Sequence, residues 1–323
     1  MADWLVERGI GEDRAIAIEN DRIIAARTQW DGELVAGQVI DAKLISRSSG
    51  SSRGKGELPS GSQILLDRLP KDAAEGALLR VEIKRSAIGE RGRLKLAQAR
   101  PSDRSPTTPD ILMSLEQEGH CARIVHQFPE SDWDELLSDA LSGEIHFKGG
   151  SLLLAATPAM IIIDIDGTLP PCELALAASG PIADTLRRFD IGGMVGIDFP
   201  TLEQKSDRKA VDAALAEALG EWSHERTAMN GFGFVQIISR LQRPSLLHRA
   251  THARTAILAR QLLRQAQMIA EPGALLLTIH PALQKKLKPE WLEELSRRTG
   301  REVRIELSAG LALGGSFAQA VPI

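Results

Sequence analysis

The stretch "IIIDIDGTLPP", residues 161–171, ends an apolar run in two aspartates two positions apart, Asp164 and Asp166. In a strand, residues i and i+2 face the same side, so the two carboxylates point together. Ionised carboxylates at that spacing repel unless a cation or a proton intervenes, so a bound metal is one reading of the pair. Capping of the helix that follows is the structural alternative.

Elements must exist to hold such a pair. A chain of 323 residues, 43% hydrophobic and 25% charged, buries more than one core and reads as two or three structural units of a soluble protein. No apolar run approaches the ~20 residues of a membrane span. The first residues, "MADWLVERGIGEDR", carry acids and no apolar signal core, which points away from secretion. Cys121 and Cys172 lack metal-type spacing and are expected as free thiols in a reducing cytoplasm.

Along the chain, "RAIAIENDRIIAARTQW" predicts a hairpin turning at Asn20 and Asp21. Residues 36–100 read as short strands with few helical signals, interrupted by the Ser/Gly-rich loop "SRSSGSSRGKGELPSG"; this suggests a small β-barrel of the oligonucleotide-binding kind. "PSDRSPTTPD", residues 101–110, marks a boundary, and residues 111–145 look mainly helical. From 150 the pattern becomes α/β, with strands at "SLLLAA", "AMIIIDID", "GGMVGIDF" and "GFGFVQII". Gly180 and Pro181 are expected to kink or restart the helix between the second and third of these. "SLLHRATHARTAILARQLLRQAQMIA" reads as one long basic helix, followed by a strand, a helix capped by Gly300, and a strand. The fold class is thus mixed α/β: a barrel near the N-terminus, an α/β domain, and a small C-terminal α/β unit.

Net charge is −4 with a pI of about 6.0, which argues against wholesale coating of a polyanion. Residues 80–104 nevertheless hold eight Arg or Lys against three acids. On one face that excess favours a phosphate backbone; as a solvated strand edge it only discourages aggregation.

The run "DIDGT" alone resembles the first motif of a haloacid-dehalogenase-type phosphatase. Such an enzyme needs a late acidic motif, and the next strand-end acid, Asp198 in "VGIDFP", has no second acid spaced to match. The surrounding motifs point elsewhere. "GGSLLLAATPAMIIIDIDG", "IADTLRRFDIGGMVGIDF", "DRKAV", "GFGFVQI" and "RPSL" follow one another in the order and approximate spacing of the ribonuclease E/G family, over roughly residues 145–247. "DIGGMVGIDF" is the most specific piece.

This resemblance implies a metal-dependent endoribonuclease acting on single-stranded RNA and leaving 5′-phosphate and 3′-hydroxyl ends. It implies an S1 (oligonucleotide-binding) barrel over 36–100 inserted into an RNase H-like half formed by 1–35 and 101–145. A DNase I-like catalytic domain would follow over 146–247, then a linker helix and small domain over 248–323. The family's catalytic, metal-holding aspartates fall on Asp164 and Asp198; Asp166 stands where the family usually has Asn, and is expected as a third catalytic carboxylate that either binds the metal directly or orients water. Mg²⁺, or Mn²⁺, would be held by one or two carboxylates, keep several waters, activate one for in-line attack and neutralise charge on the phosphate. Arg226 lies near the family's basic position before "GFGF".

Departures are equally specific. The paired-cysteine zinc link after "RPSL" is replaced by "LLHRATHART", so no zinc is expected and the oligomer is a monomer or dimer. His248 and His252 are read as surface histidines, with metal binding as the alternative. The barrel region contains no aromatic residue on which bases could stack, so RNA would be held through phosphates by Arg91, Arg93 and Lys95. No "RTAG"-like motif fills the short stretch between the barrel and "GGSLLL", so cleavage is expected to ignore the RNA 5′ end. An RNA-binding protein with little or no catalysis is the other reading.

Overall fold

The computed structural model describes residues 3–129 and 132–323; Met1, Ala2, Glu130 and Ser131, which fall within the first expected unit, lie outside the described residues. The chain opens with β1 (Asp3–Arg8), β2 (Glu12–Glu19) and β3 (Arg22–Trp30). The β2–β3 turn is the one expected, with Asn20 at φ 50° and Asp21 at φ 59°, the left-handed pair that a tight hairpin requires.

A closed barrel comes next, built from β4 (Val39–Arg47), β5 (Gly54–Glu57), β6 (Gln63–Leu66), β7 (Leu78–Arg85) and, after an intervening hairpin, β10 (Gln98–Pro101). Its interior is filled by Leu44, Ile64, Leu66, Val81, Ile83 and Ala99. The intervening hairpin, β8 (Ile88–Glu90) with β9 (Arg93–Lys95), stands outside the barrel as its own two-stranded ribbon. At the barrel's neck the incoming and outgoing chains pair: Val39 N donates to Thr107 O at 2.8 Å, and Thr107 N donates back to Val39 O at 3.1 Å.

Residues 111–145 are less helical than their sequence suggests. Between α1 (Ile111–Gln117) and α2 (Asp132–Ser142) lies β11 (Ala122–Val125), which pairs parallel to β1 and completes a four-stranded sheet, β11-β1-β2-β3. The second sheet follows from β12 (Glu144–Phe147), β13 (Gly150–Ala156), β14 (Ile161–Gly167), α3 (Pro171–Arg188), β15 (Gly193–Asp198), α4 (Lys205–Leu219), β16 (His224–Arg226) and β17 (Phe234–Ser239). Its order is β12-β13-β14-β15-β17-β16, with β14 and β15 the parallel pair.

The helix α3 runs unbroken through Pro181, so it does not restart there. Its inner stripe of Leu174, Ala175, Ala178, Ile182 and Leu186 is buried in the core shared by both sheets. Burying that stripe offsets the cost of about 3 kcal/mol for an internal proline.

The expected single basic helix is two: α5 (Leu246–His252), capped by the Ser245 hydroxyl, and α6 (Arg254–Gln267), separated at Ala253 (φ −134°, ψ 33°). Its arginines turn inward. Arg249 forms a two-toothed pair with Glu33 at 2.7 Å. The Arg260 guanidinium lies 3.9 Å from the Trp30 ring centre and 4.6 Å from that of Trp291. Arg264 Nε donates to Glu7 Oε1 at 3.0 Å, and Glu7 also pairs with the fully buried Arg14 at 2.7 Å. The chain ends in β18 (Ala274–Ile279), α7 (Pro281–Gln284), α8 (Pro289–Thr299), β19 (Val303–Leu307) and β20 (Phe317–Val321). As expected, Gly300 caps α8 in the left-handed region. The strand β20, which the sequence did not announce, pairs on the other side of β18. No described helix is long and apolar enough to cross a membrane. Both cysteines are free, Cys121 exposed and Cys172 half-buried.

Candidate functional site

The β14 strand alternates strictly. Ile161, Ile163 and Ile165 are buried, while Asp164 and Asp166 are exposed on the opposite, open face. The parallel neighbour β15 enters in a register that makes Asp164 and Asp198 Cα partners. Partners share a face, so these two carboxylates stand side by side across one strand spacing of ~4.8 Å. Leu153 of β13 and Phe234 of β17 complete the row on either side. Asp166 lies one pleat further along, opposite Ser151, at a strand distance of ~7 Å.

Local hydrogen bonds fix two of the carboxylates. Asp164 Oδ1 accepts from Ile165 N at 3.0 Å, and Asp166 Oδ1 accepts from Gly167 N at 2.8 Å. Among the described residues none of the three aspartates joins a salt bridge. Their negative charge is therefore left to solvent or to a bound cation. Hard oxygen donors in this number fit Mg²⁺, which takes one or two carboxylates and keeps its waters. No group of three or more His, Cys, Asp or Glu among the described residues is gathered tightly enough to hold a metal alone. The side-by-side pair is Asp164 with Asp198; Asp166 stands apart at the rim.

The same face carries apolar surface. A Cβ added at Gly196 would run into Phe234, Met160 and Ile162, so these three side chains close over the glycine beneath the carboxylate row. Ile238, Leu153 and Phe232 are exposed around it. Phe232 and Phe234 both lie in the "GFGF" run, and nothing in that local pattern marks them as part of the site.

The basic candidates fall elsewhere. Arg91 is exposed at the tip of the β8–β9 ribbon. Glu90 sits between the other two, accepting from Arg93 Nε at 2.5 Å and lying 3.8 Å from Lys95 Nζ. The ribbon packs toward Thr157–Met160 and Gly193–Met194, lining a small cavity with them. That is the starting end of β14 and β15, three residues or ~10 Å of strand below Asp164. The ribbon thus lies by the starting end of the two strands whose other end carries the carboxylates.

Arg226 does not join them. It is the register partner of Ile237, which is buried, so it projects to the helix side of the sheet. There its Nη1 donates to Asp212 Oδ1 at 2.8 Å and its Nη2 to Asp212 O at 2.9 Å, tying α4 to the sheet edge. Its guanidinium is thus engaged with Asp212 on the side of the sheet away from the carboxylate row.

The two histidines are half-buried and not surface residues. Nδ1 of His248 lies 2.8 Å from Ser245 Oγ. Burial, with His252 and Lys95 nearby, pushes its pKa down to about 4. It packs as a neutral ring.

A second cavity of about 230 Å³ lies where β3, the barrel and the loop after β17 meet. Four of its arginines are matched internally, Arg27 to Glu118 at 2.6 Å, Arg243 to Glu118 at 3.2 Å, Arg104 to Glu82 at 3.4 Å and Arg249 to Glu33 at 2.7 Å, while Arg240 joins no salt bridge among the described residues. None of the three aspartates lines it.

Comparison with known proteins bears on the open face directly. The model of the ribonuclease E/G family matches residues 82–241, a stretch that includes the β8–β9 ribbon, all three aspartates and both phenylalanines. Over 203 aligned residues the chain is 26% identical to ribonuclease G of Escherichia coli K12, covering 58% of this chain and 39% of that protein. Ribonuclease G of Shigella flexneri matches to the same extent. The chain thus matches less than half the length of these curated relatives.

Proposed function

Because the chain belongs to the ribonuclease E/G family through residues 82–241, we propose that it is an endoribonuclease. In this reading it hydrolyses phosphodiester bonds of single-stranded RNA with Mg²⁺, or Mn²⁺, and leaves 5′-phosphate and 3′-hydroxyl ends. The observation that carries the reading is the register of β14 with β15: two carboxylates side by side, unpaired, on an open face.

Asp164 and Asp198 are the residues that would hold the ion, with Asp166 orienting water at the rim. The ion supplies charge neutralisation at the phosphate and an acidified water. The chain's own contribution is positional. The Ile165 and Gly167 amides hold the Asp164 and Asp166 carboxylates, and the buried isoleucines between them lock the strand that carries both. The carboxylate row itself repels RNA phosphates, so the grip on RNA comes from the surrounding surface and the cation serves the chemistry. Arg91, Arg93 and Lys95 meet the backbone by the starting end of β14 and β15, as phosphate contacts without sequence preference.

Cleavage is proposed to be independent of the 5′ end. Residues 101–145 are occupied by the barrel's exit, α1, β11 and α2, which complete the first sheet and leave no segment for a separate terminal-phosphate subdomain. The protein is proposed to act in the cytoplasm as a monomer or dimer with no zinc link.

The other reading, an RNA-binding protein with little catalysis, is favoured by one observation: no three candidate ligands among the described residues converge on a metal. Incubating labelled single-stranded RNA with Mg²⁺, with EDTA, and with the Asp198→Asn variant separates the two. The enzyme cuts only in the first condition; a binder retains the RNA intact in all three.

A further inference from the structure

We infer that Phe232 is a stacking platform for one nucleobase of the RNA, seated beside the Asp164–Asp198 pair. This rests on the ribonuclease reading of the same face.

The ring of Phe232 is 83% exposed, yet its backbone is among the most constrained in the loop that carries it. Asn230 Oδ1 accepts from Phe232 N at 2.8 Å and from Phe234 N at 3.1 Å. Gly233 N donates to Asn230 O at 3.2 Å, closing the turn. The turn is docked on the residue after Asp198: Phe199 N donates to Gly233 O at 3.2 Å. Gly233 sits at φ +86°, and a Cβ there would strike Phe199 O, so only glycine permits the approach. A large apolar side chain is thus held in water on a rigid support, where collapse onto the core is prevented.

Its neighbours say what it stands near. Phe234, two residues on, is the register partner of Asp198, so the turn lies within ~7 Å of strand from the carboxylate row. A ligand that meets both features must present an anion to the cation site and a flat apolar surface to the ring. A nucleotide does this; an apolar protein segment satisfies only the ring. Residues 36–100 contain no aromatic, so the barrel has no ring on which a base could stack. Stacking of this kind is tolerant of base identity, because every base has a π-face.

The test uses the full chain and a single-stranded RNA oligonucleotide of mixed sequence, with binding measured in EDTA and single-turnover cleavage in Mg²⁺. Phe232→Ala and Phe232→Leu are expected to weaken binding about tenfold, while Phe232→Trp binds as the parent does. Melting temperatures should be unchanged, since the ring is exposed. An abasic nucleotide is then moved along the oligonucleotide. At one position it should cost the parent about tenfold and cost Phe232→Ala nothing further, the non-additivity that marks a direct contact. Additive losses at every position overturn the inference, as does wild-type binding by Phe232→Ala. Wild-type binding by Phe232→Leu would reveal a plain apolar contact and overturn it equally. If the coupling is found in EDTA but no RNA is cut in Mg²⁺, the stacking site stands and the nuclease reading falls. Cleavage without coupling gives the reverse.

Discussion

Asp164 and Asp198 are Cα partners on parallel strands, and neither has a counter-ion among the described residues. Replacing one carboxylate by an amide removes a metal ligand and also a charge that repels phosphate. Asp198→Asn is therefore expected to abolish cleavage while leaving RNA affinity equal or slightly higher. Wild-type rates for this variant at limiting Mg²⁺ would end the assignment. Asp166→Asn, which restores the residue expected from the family resemblance, should keep activity, because Asp166 stands a pleat away from the pair.

The β8–β9 ribbon carries its own partial neutraliser. Glu90 engages Arg93 and Lys95, whereas Arg91 is in no salt bridge among the described residues. On single strands each lost phosphate contact flattens the slope of log affinity against log salt by about 0.7. Arg91→Ala should give about that change alone, and the triple change of Arg91, Arg93 and Lys95 to Ala about two units. Weakening should be similar across RNA sequences. A triple variant with the wild-type salt slope would reduce the ribbon to a solvated edge.

Cleavage of one short RNA bearing a 5′ hydroxyl, monophosphate or triphosphate should proceed at similar rates under single-turnover conditions, where product release does not mask chemistry. A monophosphate preference of tenfold or more, about 1.4 kcal/mol at the transition state, would show that a terminal-phosphate site exists. The arginine-lined cavity near Arg243 would then be the first place to look.

His248 makes stability depend on acid. Its folded pKa, about 4, lies below the ordinary 6.5, so the unfolded chain takes up the proton first. The neutral ring's contribution is whole above about pH 6.5 and is lost as the pH falls from there through 4, by up to about 3 kcal/mol. His248→Gln should flatten this part of the profile. The difference in urea stability between parent and variant, measured at pH 7 and at pH 4.5, should shrink or reverse at the lower pH. An unchanged difference would mean that the ring does not titrate in this window.

The legible parts of this molecule were those written into local pattern. The Asn20–Asp21 turn, the barrel's alternating short strands, the Gly300 cap and the apolar run into Asp164 each carry their signal within a few residues. What escaped depended on a distant partner. The strand β11 is only four residues, exposed or half-buried throughout, and exists because β1 offers it an edge. The side of the sheet to which Arg226 projects is set by its register with Ile237, which its own neighbours in sequence do not reveal. The arginines of α5 and α6 read as a basic surface, and only the carboxylates and indoles of the first sheet explain why they point inward. At the site itself, the closeness of Asp164 to Asp198 follows from the pairing of strands thirty residues apart, which no local pattern contains.

The pairing of Val39 with Thr107 has a wider consequence. With its two ends fastened together, the barrel is, to the rest of the molecule, a short tether of constant span whatever its contents. Apart from the β8–β9 ribbon, which packs on the second sheet, lengthening or shortening the loops inside it alters no distance that the host fold must bridge, so the entropy of closing the insertion is largely settled at the neck. The barrel can thus drift in sequence, trading charges or losing its aromatics, without disturbing the registry of the carboxylate row. It is a cassette, free to change its own surface while the neighbouring sheet keeps its register.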